Sequence, residues 1–249
     1  MTGETHENRT IFRLTGADRV KFLDNLVTNN VKPGGISYAA LQTPQGKYIA
    51  DFFMVDQGDE TLIDVDSTLA QPLGQRLNMY KLRADVQIEA TELHALRGRG
   101  DMPEGAYPDP RHEALGWRLY SDTPGDAPAT DWDALRVALN VPASGEELTP
   151  DTFILEAGFD RLNGVDFKKG CFVGQEVTAR MKHKTELRKG YVTVTFDGPA
   201  DPGTESVTAE GKPAGKLHTR AGDRAIAYLR FDRAEGPMTA GDATVTWTR

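Results

Sequence analysis

The chain has 249 residues, 39% of them hydrophobic and 27% charged, which is enough apolar material for a substantial core and excludes disorder as its overall state. Its formal net charge of −8 disfavours general binding to nucleic-acid backbones, which are also negative. A single cysteine, Cys171, excludes an intramolecular disulfide and an iron–sulfur cluster held by four cysteines of one chain. Because the sequence also lacks a long apolar run and a signal-peptide pattern, we expect a cytoplasmic protein.

Local patterns in the first part of the chain predict an α+β arrangement. Residues 1–9 are polar, and we expect them to be loose. Apolar alternation, helical spacing and turn residues then predict the following elements. They are a strand at 10–14, a helix at 17–30, strands at 36–43, 47–55 and 61–67, a helix at 68–82 and a strand at 84–93.

The second part of the chain has more loops. Residues 98–129 are rich in Gly, Pro and Asp and predict long loops around one strand, GWRLY. A helix is predicted at 130–139, with Thr130 or Asp131 as its cap. Five short alternating segments follow from about residue 187, and they indicate a small β-barrel or sandwich.

The segment 163–181, NGVDFKKGCFVGQEVTARM, is the most informative part of the sequence. Gly170 and Gly174 bracket Cys171, and a helix is predicted directly after them. The thiol would then precede a helix N-terminus, where unpaired N–H groups favour an anion, and it would lie near two lysines. Both features favour the thiolate, the form that attacks electrophiles and binds soft metals.

Simpler interpretations of these residues are also open. A lone cysteine between Gly and Phe is more often a small buried apolar side chain than a nucleophile. Glu176 and Arg180 are four residues apart on the predicted helix and suit a surface ion pair, which would add only about 0.3–0.5 kcal/mol. Gln175 suits either a ligand contact or the protein surface.

Asp51 is the second candidate residue, because it interrupts a strand that is apolar on both faces. Strand alternation predicts that Ile49, Asp51, Phe53 and Val55 share one face. A carboxylate in that position needs hydrogen-bonding partners or a polar site. Structural pairing and ligand binding are equally open here.

The segment KKGCFVGQE at 168–176 resembles the signature of the YgfZ family of folate-binding proteins. The flanking ILEAGFDRLNGVDF and VTARM are also similar to that family, as are the N-terminal DRVKFLDNLVTNNV and YAALQTPQGKYIADFFMV. The resemblance extends from about residue 10 to the last strands. Within the family, the chain is most similar to bacterial relatives of the mitochondrial iron–sulfur cluster assembly factor.

The resemblance implies an α+β fold similar to that of the glycine-cleavage aminomethyltransferase, the T-protein. In that fold, subdomains surround a central hole and a β-barrel follows. The implied domains are a folate-binding region at 10–186, made of two intertwined α+β subdomains, and a small β-barrel at 187–249. The implied ligand of the hole is tetrahydrofolate or a derivative.

The function implied by the resemblance is the assembly or repair of iron–sulfur clusters. The clients would be chiefly four-iron enzymes, including radical-SAM enzymes and those that support tRNA modification. Cys171 would be the functional residue and a ligand of a transient cluster shared with an iron–sulfur carrier protein. We expect a monomer that contacts client enzymes but no membrane and no nucleic acid directly, and that is not a conventional enzyme.

The resemblance also assigns candidate folate contacts. Asp51 falls in the strand that supplies, in aminomethyltransferases, the acid facing the folate amine. Ala138 stands where those enzymes carry a glutamate that holds the pterin ring, which argues against glycine cleavage and leaves Arg136 as another pterin contact. The full set of candidate folate-binding residues is Asp51, Arg136, Lys169, Gly170, Gly174, Gln175, Glu176 and Arg180.

Two other functions are compatible with these residues. A folate-dependent one-carbon transferase or demethylase would use Asp51 as its acid/base group. An interaction scaffold would keep the fold, bind no folate and use the loops at 98–129 for docking.

Overall fold

A computed structural model describes residues 3–184, 186–208 and 210–248. None of the helices in these ranges is long and apolar enough to span a membrane. The strands are β1 (Glu4–Thr5), β2 (Arg9–Thr15), β3 (Ile36–Gln42), β4 (Tyr48–Asp56), β5 (Thr61–Asp66), β6 (Gln87–Ala90), β7 (His94–Gly98), β8 (Tyr107–Pro108), β9 (Trp117–Ser121), β10 (Lys189–Asp197), β11 (Glu205–Thr208), β12 (Pro213–Ala221), β13 (Arg224–Arg230), β14 (Met238–Ala240) and β15 (Ala243–Thr246). The α-helices are α1 (Arg19–Leu26), α2 (Ser67–Lys81), α3 (Trp132–Leu139) and α4 (Gln175–Lys184).

A five-stranded antiparallel sheet with the order β3-β4-β5-β2-β6 forms the centre of the fold. Its strands β2 to β5 were predicted to within about two residues, because their apolar runs are long and turn residues bound them. Helices α1 and α2 cover one face, where full burial of a side chain such as Phe52 is worth roughly 1.5–3 kcal/mol. The core on that face includes Leu14, Phe22, Leu23, Phe52, Met54, Ile63, Leu73 and Leu77.

The other face of this sheet packs against α3, the loops after it and the first barrel strand. Tyr38 lies at the centre of this second core, with its ring 5.0 Å from that of Phe159 and 5.4 Å from that of Phe53. The core also includes Ile11, Val55, Leu62, Val137, Leu162, Tyr191 and Ile226. Because β3 and β4 have apolar cores on both sides, their sequences are apolar at nearly every position.

A β-bulge changes which residues of β4 share a face. The pairing of β3 with β4 shifts between Leu41 and Gln42, so that Tyr48 lies opposite Gln42. Tyr48 therefore joins the core on the Asp51 side, whereas Ile49 packs against the helix-covered core. The prediction that Ile49 shares a face with Asp51 was wrong, because simple alternation fails at a bulge.

A second sheet, with the order β1-β7-β9-β8, includes residues near the N-terminus. In β1, Glu4 pairs with Arg97, and its carboxylate accepts hydrogen bonds from the Thr130 hydroxyl at 2.7 Å and the Trp132 indole N–H at 2.6 Å. The expectation that residues 1–9 are loose was therefore wrong for the described residues. The strand predicted at 84–93 was also too long, because β6 ends at residue 90 and β7 joins this second sheet.

The boundaries of two helices have different causes, a tertiary contact in one and a local cap in the other. Helix α1 ends at Leu26 rather than at residue 30, because the Thr28 N–H donates to Ala40 O at 3.0 Å and its hydroxyl donates to Gly164 O at 2.6 Å. Helix α3 takes Asp131 as its cap, since that carboxylate accepts the Ala134 N–H at 2.8 Å.

The C-terminal strands close into a barrel with the order β10-β13-β12-β11-β14-β15. Five of these six strands were predicted, and the short β14 was not. The barrel is hydrogen-bonded to the rest of the protein through β10, β12 and β13. The Tyr191 hydroxyl donates to Glu147 O at 2.5 Å, and the Asn140 amide donates to Tyr191 O at 2.9 Å.

Candidate functional site

Cys171 is exposed on the loop that precedes α4. The helix begins four residues later, at Gln175, close to where the sequence predicted it. The interpretation of Cys171 as a small buried apolar side chain was therefore wrong. No group of three or more His, Cys, Asp or Glu side chains within the described residues is placed to hold a metal ion.

Although its thiol is exposed, the Cys171 loop (residues 168–174) is fixed to the segment that follows α1. The Lys169 ammonium donates to Val27 O at 2.6 Å and to Asn29 O at 2.9 Å, and burial lowers the pKa of Lys169 to about 8. The Val173 N–H donates to Leu26 O at 3.3 Å. The thiol is thus carried by a backbone with defined contacts on both sides.

The two glycines of the loop differ in their packing. Gly174 has φ +82°, and a Cβ there would lie 2.8 Å from Thr43 O in the β3–β4 turn. In that same turn, a Cβ on Gly46 would lie 2.9 Å from Val177 Cβ. Gly174 is therefore required by backbone contact. Gly170 has open space, with no atom within 4 Å of an added Cβ, so no contact within the described chain requires glycine there.

The remaining residues of this segment take different positions. Gln175 accepts the Phe172 N–H at 3.2 Å and so closes the loop onto the start of α4. Glu176 and Arg180 are both exposed, and no ion pair joins them in the part of the chain that is described, so the ion-pair interpretation was wrong. Lys182 makes the ion pair of this helix instead, with Asp160 at 2.8 Å.

A cavity of about 310 Å³ lies where the two sheets meet α3 and the loop after it. Such a volume suits a small organic ligand. Of the candidate folate contacts, Asp51 and Arg136 line this cavity. The candidates from residue 169 to residue 180 lie outside its lining, as does Ala138, which is exposed. The structure therefore divides the predicted residues between two places.

Asp51 is buried in the wall of the cavity and accepts three hydrogen bonds. The Tyr48 hydroxyl donates at 2.6 Å, the Tyr38 hydroxyl at 2.9 Å, and the Ser144 hydroxyl also donates. Burial, reinforced by the Asp51 charge, raises the pKa of both tyrosines well above their ordinary range, so they stay protonated. Because a carboxylate has about four lone-pair positions, one remains for a ligand. Asp51 thus has structural partners and also faces the cavity.

Arg136 has no free N–H group. Its five donors are taken by the Asp133 carboxylate, Val141 O at 3.1 Å, the Glu147 carboxylate at 3.0 Å and the Thr219 hydroxyl at 3.1 Å. Glu147 is fully buried, so this arginine neutralises a carboxylate that would otherwise be costly. A contact between Arg136 and a pterin stays a prediction and requires one of these bonds to break.

The cavity also carries four arginines that sequence reasoning missed. We call them the arginine cluster: Arg9, Arg97, Arg111 and Arg118. Asp64 accepts from Arg9 Nε at 2.6 Å and from Arg118 Nη2 at 2.5 Å, and Asp109 accepts two bonds from Arg111 at 3.0 and 2.8 Å. Burial raises the pKa of Asp64, but these two arginines lower it by more, so the carboxylate is ionised.

His6 completes this part of the wall. Arg118 Nη2 lies 3.2 Å from His6 Nδ1, and because a guanidinium only donates, that ring nitrogen accepts. Burial and the surrounding arginines lower the pKa of His6 well below its ordinary value, so the ring is neutral. The one sequence signal for this cluster was an arginine inside the apolar strand GWRLY.

Comparison with protein families assigns the C-terminal part of the chain to a known domain family. Residues 188–249 match the family described as the CAF17 C-terminal beta-barrel domain. The fold of the whole chain is similar to that of the glycine cleavage system aminomethyltransferase T from Bartonella henselae. The TM-score is 0.78 with 13% sequence identity, and the match covers 98% of this chain and 85% of that structure. The expected aminomethyltransferase-like fold with a C-terminal barrel is confirmed.

Curated relatives match nearly the whole chain. The mitochondrial iron–sulfur cluster assembly factor IBA57 of Mus musculus is 29% identical over 280 residues, which cover 93% of this chain and 78% of the relative. The homolog from Phaeosphaeria nodorum is 30% identical over 281 residues, covering 90% of this chain and 69% of the relative. The narrower resemblance to the YgfZ family stays a prediction.

Proposed function

Because the chain belongs to the IBA57 family of iron–sulfur cluster assembly factors, we propose that it supports the assembly or repair of iron–sulfur clusters in other proteins. The observation that carries this proposal is the exposure of Cys171, the only thiol of the chain, on a loop that Lys169 ties to Val27 by a hydrogen bond. An accessible thiol can reach a cluster or a partner protein, whereas a buried one is inert.

One cysteine limits what this chain does with a cluster. Iron–sulfur clusters are commonly held by four cysteine thiolates, and this chain supplies one. A partner must therefore supply the other ligands. We propose an iron–sulfur carrier protein in that role and four-iron enzymes as clients, with the cluster as cargo. Open space at Gly170, next to the thiol, leaves room for the backbone of such a partner.

We also propose that the cavity binds tetrahydrofolate or a derivative. The fold similarity and the position of Asp51 support this proposal. The free lone-pair position of Asp51 would accept a hydrogen bond from an N–H of the ligand. Cys171 lies outside the cavity lining, so we propose that folate acts as a bound effector and that the thiol handles clusters at a separate place.

The test is rescue of cells that lack this protein. Wild type, Cys171→Ser and a matched exposed control, Lys184→Ser, are each restored, and the activity of a four-iron enzyme is measured. We expect wild type and the control to restore activity and Cys171→Ser to fail while accumulating to the same level. Rescue by all three would support a role of this protein in cluster assembly but would show that the Cys171 thiol is not needed for it. Absence of any defect in the deleted cells would contradict the proposal.

A one-carbon transferase is the alternative, favoured by the buried carboxylate of Asp51 at a cavity within an aminomethyltransferase-like fold. It would transfer the methylene carbon of an aminomethyl donor to tetrahydrofolate, which forms methylenetetrahydrofolate and releases ammonia and the rest of the donor; an N-methyl donor would in addition need a two-electron oxidant. Detection of that turnover, lost in Asp51→Asn, would support the alternative.

We propose that the protein acts as a monomer in the cytoplasm, the reducing compartment that a free exposed thiol favours.

A further inference from the structure

Three arginines of the cluster form ion pairs with buried carboxylates, and the fourth, Arg97, forms none with any described residue. Four guanidinium groups face two buried carboxylates, Asp64 and Asp109, and His6 is neutral. The other carboxylates of the cavity wall are engaged or exposed. Asp51 binds three hydroxyls and Asp66 caps α2, while Glu7, Asp133 and Glu146 are exposed.

The acidic neighbour of Arg97 is Glu4, across the β1–β7 strand pair, whose carboxylate accepts hydrogen bonds from Thr130 and Trp132. The Nε of Arg97 is buried without a hydrogen-bond acceptor, and this arginine makes no ion pair with any described residue. Its guanidinium carbon lies 4.2 Å from the centroid of the Trp132 ring, which fixes the plane of the group. Burial, with Arg118 and Arg111 nearby, lowers the pKa of Arg97 to about 9. A buried polar group without a partner costs free energy, and a ligand acceptor in the cavity would remove that cost.

The other three arginines surround the Phe53 ring. The guanidinium carbons of Arg118, Arg111 and Arg9 lie 4.0, 4.8 and 5.9 Å from its centroid. Phe53 is two residues from Asp51 on β4, so the two side chains stand roughly 7 Å apart on one face of the sheet. The cavity therefore has a cationic region and, one strand repeat away, a carboxylate acceptor.

We propose that the arginine cluster binds the carboxylate of a small organic ligand, with Arg97 as the free donor, and that the same ligand donates a hydrogen bond to Asp51. The bidentate contact of Arg111 with Asp109 already shows this geometry in the cavity wall. The proposal goes beyond folate binding, because the site takes a carboxylate whether or not the ligand carries a pterin.

The experiment is calorimetric titration of the full chain with three probes at constant ionic strength. They are 4-aminobenzoyl-L-glutamate, which has carboxylates and no pterin, 6-methyltetrahydropterin, which has a pterin and no carboxylate, and inorganic phosphate. The variants are Arg97→Gln, Arg97→Lys and a control, Arg99→Gln, whose arginine is exposed two residues away.

We expect wild type and Arg99→Gln to bind the aminobenzoylglutamate equally. Arg97→Gln should bind at least tenfold more weakly, and Arg97→Lys should lie between because it keeps the charge but loses the planar fork. Without a probe, Arg97→Gln should still unfold cooperatively close to the wild-type melting temperature, since the variant loses the Trp132 contact but also relieves a buried Nε that has no acceptor. That result separates loss of binding from loss of folding.

Three results would overturn the inference: equal binding of the carboxylate by Arg97→Gln and wild type, no binding by wild type, or tighter Arg97-dependent binding of phosphate than of the carboxylate. A protein that binds the carboxylate probe but not the pterin would support the inference and contradict the folate proposal. The iron–sulfur proposal is tested separately, through Cys171.

Discussion

A Cβ atom on Gly174 would lie 2.8 Å from the carbonyl oxygen of Thr43, so the Cys171 loop and the β3–β4 turn meet through their backbones. Gly174→Ala should therefore destabilise the protein. The positive φ costs about 1–2 kcal/mol for a residue with a Cβ, and the contact adds about 1–3 kcal/mol because neither backbone can move freely. Urea denaturation measures the sum, which should appear as a lower midpoint.

Gly170→Ala is the matched control for this substitution. An added Cβ meets no atom within 4 Å there, so stability should stay within about 0.5 kcal/mol of wild type. Equal destabilisation by the two alanines would show that the loop is not packed as described.

Lys169→Met should loosen the Cys171 loop while leaving the thiol in place. The variant leaves Val27 O and Asn29 O without their charged donor, which should cost about 1–3 kcal/mol in urea denaturation. We also expect weaker rescue of the four-iron enzyme, because the thiol would lose its fixed position. Lys168→Met, at an exposed neighbouring lysine, should leave both measurements unchanged. Full stability and full rescue by Lys169→Met would show that Lys169 does not anchor the Cys171 loop.

Asp51→Asn should remove stabilisation by tetrahydrofolate. Wild type at 100 times the dissociation constant should gain about 2.7 kcal/mol, and the variant should gain little because the ligand loses its carboxylate acceptor. Ser144→Ala removes one hydroxyl donor to the same carboxylate and keeps its charge, so it should retain most of the gain. Undiminished stabilisation of Asp51→Asn, measured by thermal unfolding, would assign Asp51 a structural role alone.

His6 should make the protein less stable in mild acid. Its folded pKa is lowered well below the unfolded value of about 6.5, so below that pH the unfolded chain binds a proton that the folded chain does not. Stability contributed by neutral His6 is therefore present above pH 6.5 and decreases as pH falls, by at most about 1.4 kcal/mol per pH unit.

His6→Asn keeps an acceptor for Arg118 but cannot bind a proton, so it should flatten the pH dependence of stability between pH 6.5 and 5. Denaturant midpoints of the variant and wild type across this range give the comparison. Parallel curves would show that His6 titrates alike in the folded and unfolded states.

The sequence predicted the central sheet because its strands carry their own signal. Strands β3 and β4 are long apolar runs bounded by turn residues, and α2 has regular helical spacing. Strand β1 has only two residues, and Glu4 forms it by pairing with Arg97, more than 90 positions along the chain. The bulge at Ile49 likewise has no local signature. Elements that depend on distant partners were the ones missed.

The candidate site shows the same limit. The Cys171 segment is contiguous, so its glycines and helix start could be predicted. The arginine cluster comes from β2, β7, β9 and the loop between β8 and β9. Apart from Arg118, inside the apolar GWRLY, each arginine alone resembles an ordinary surface residue. Arg136 was selected because it stands beside Ala138, but its donors are all engaged, whereas the unpartnered Arg97 had no motif to mark it.

The hydrogen bonds that join Arg136 and Glu147 to Thr219 have a consequence for how this protein can be divided. Glu147 accepts from Arg136 on α3 and from Thr219 on the barrel strand β12. A chain cut before the barrel would keep this buried acid but lose the two Thr219 donors, the N–H and the hydroxyl, and the barrel alone would expose Tyr191. The barrel is therefore no detachable module. Chimaeras that exchange it between relatives should fold only when Arg136, Glu147 and their barrel partner are transferred together.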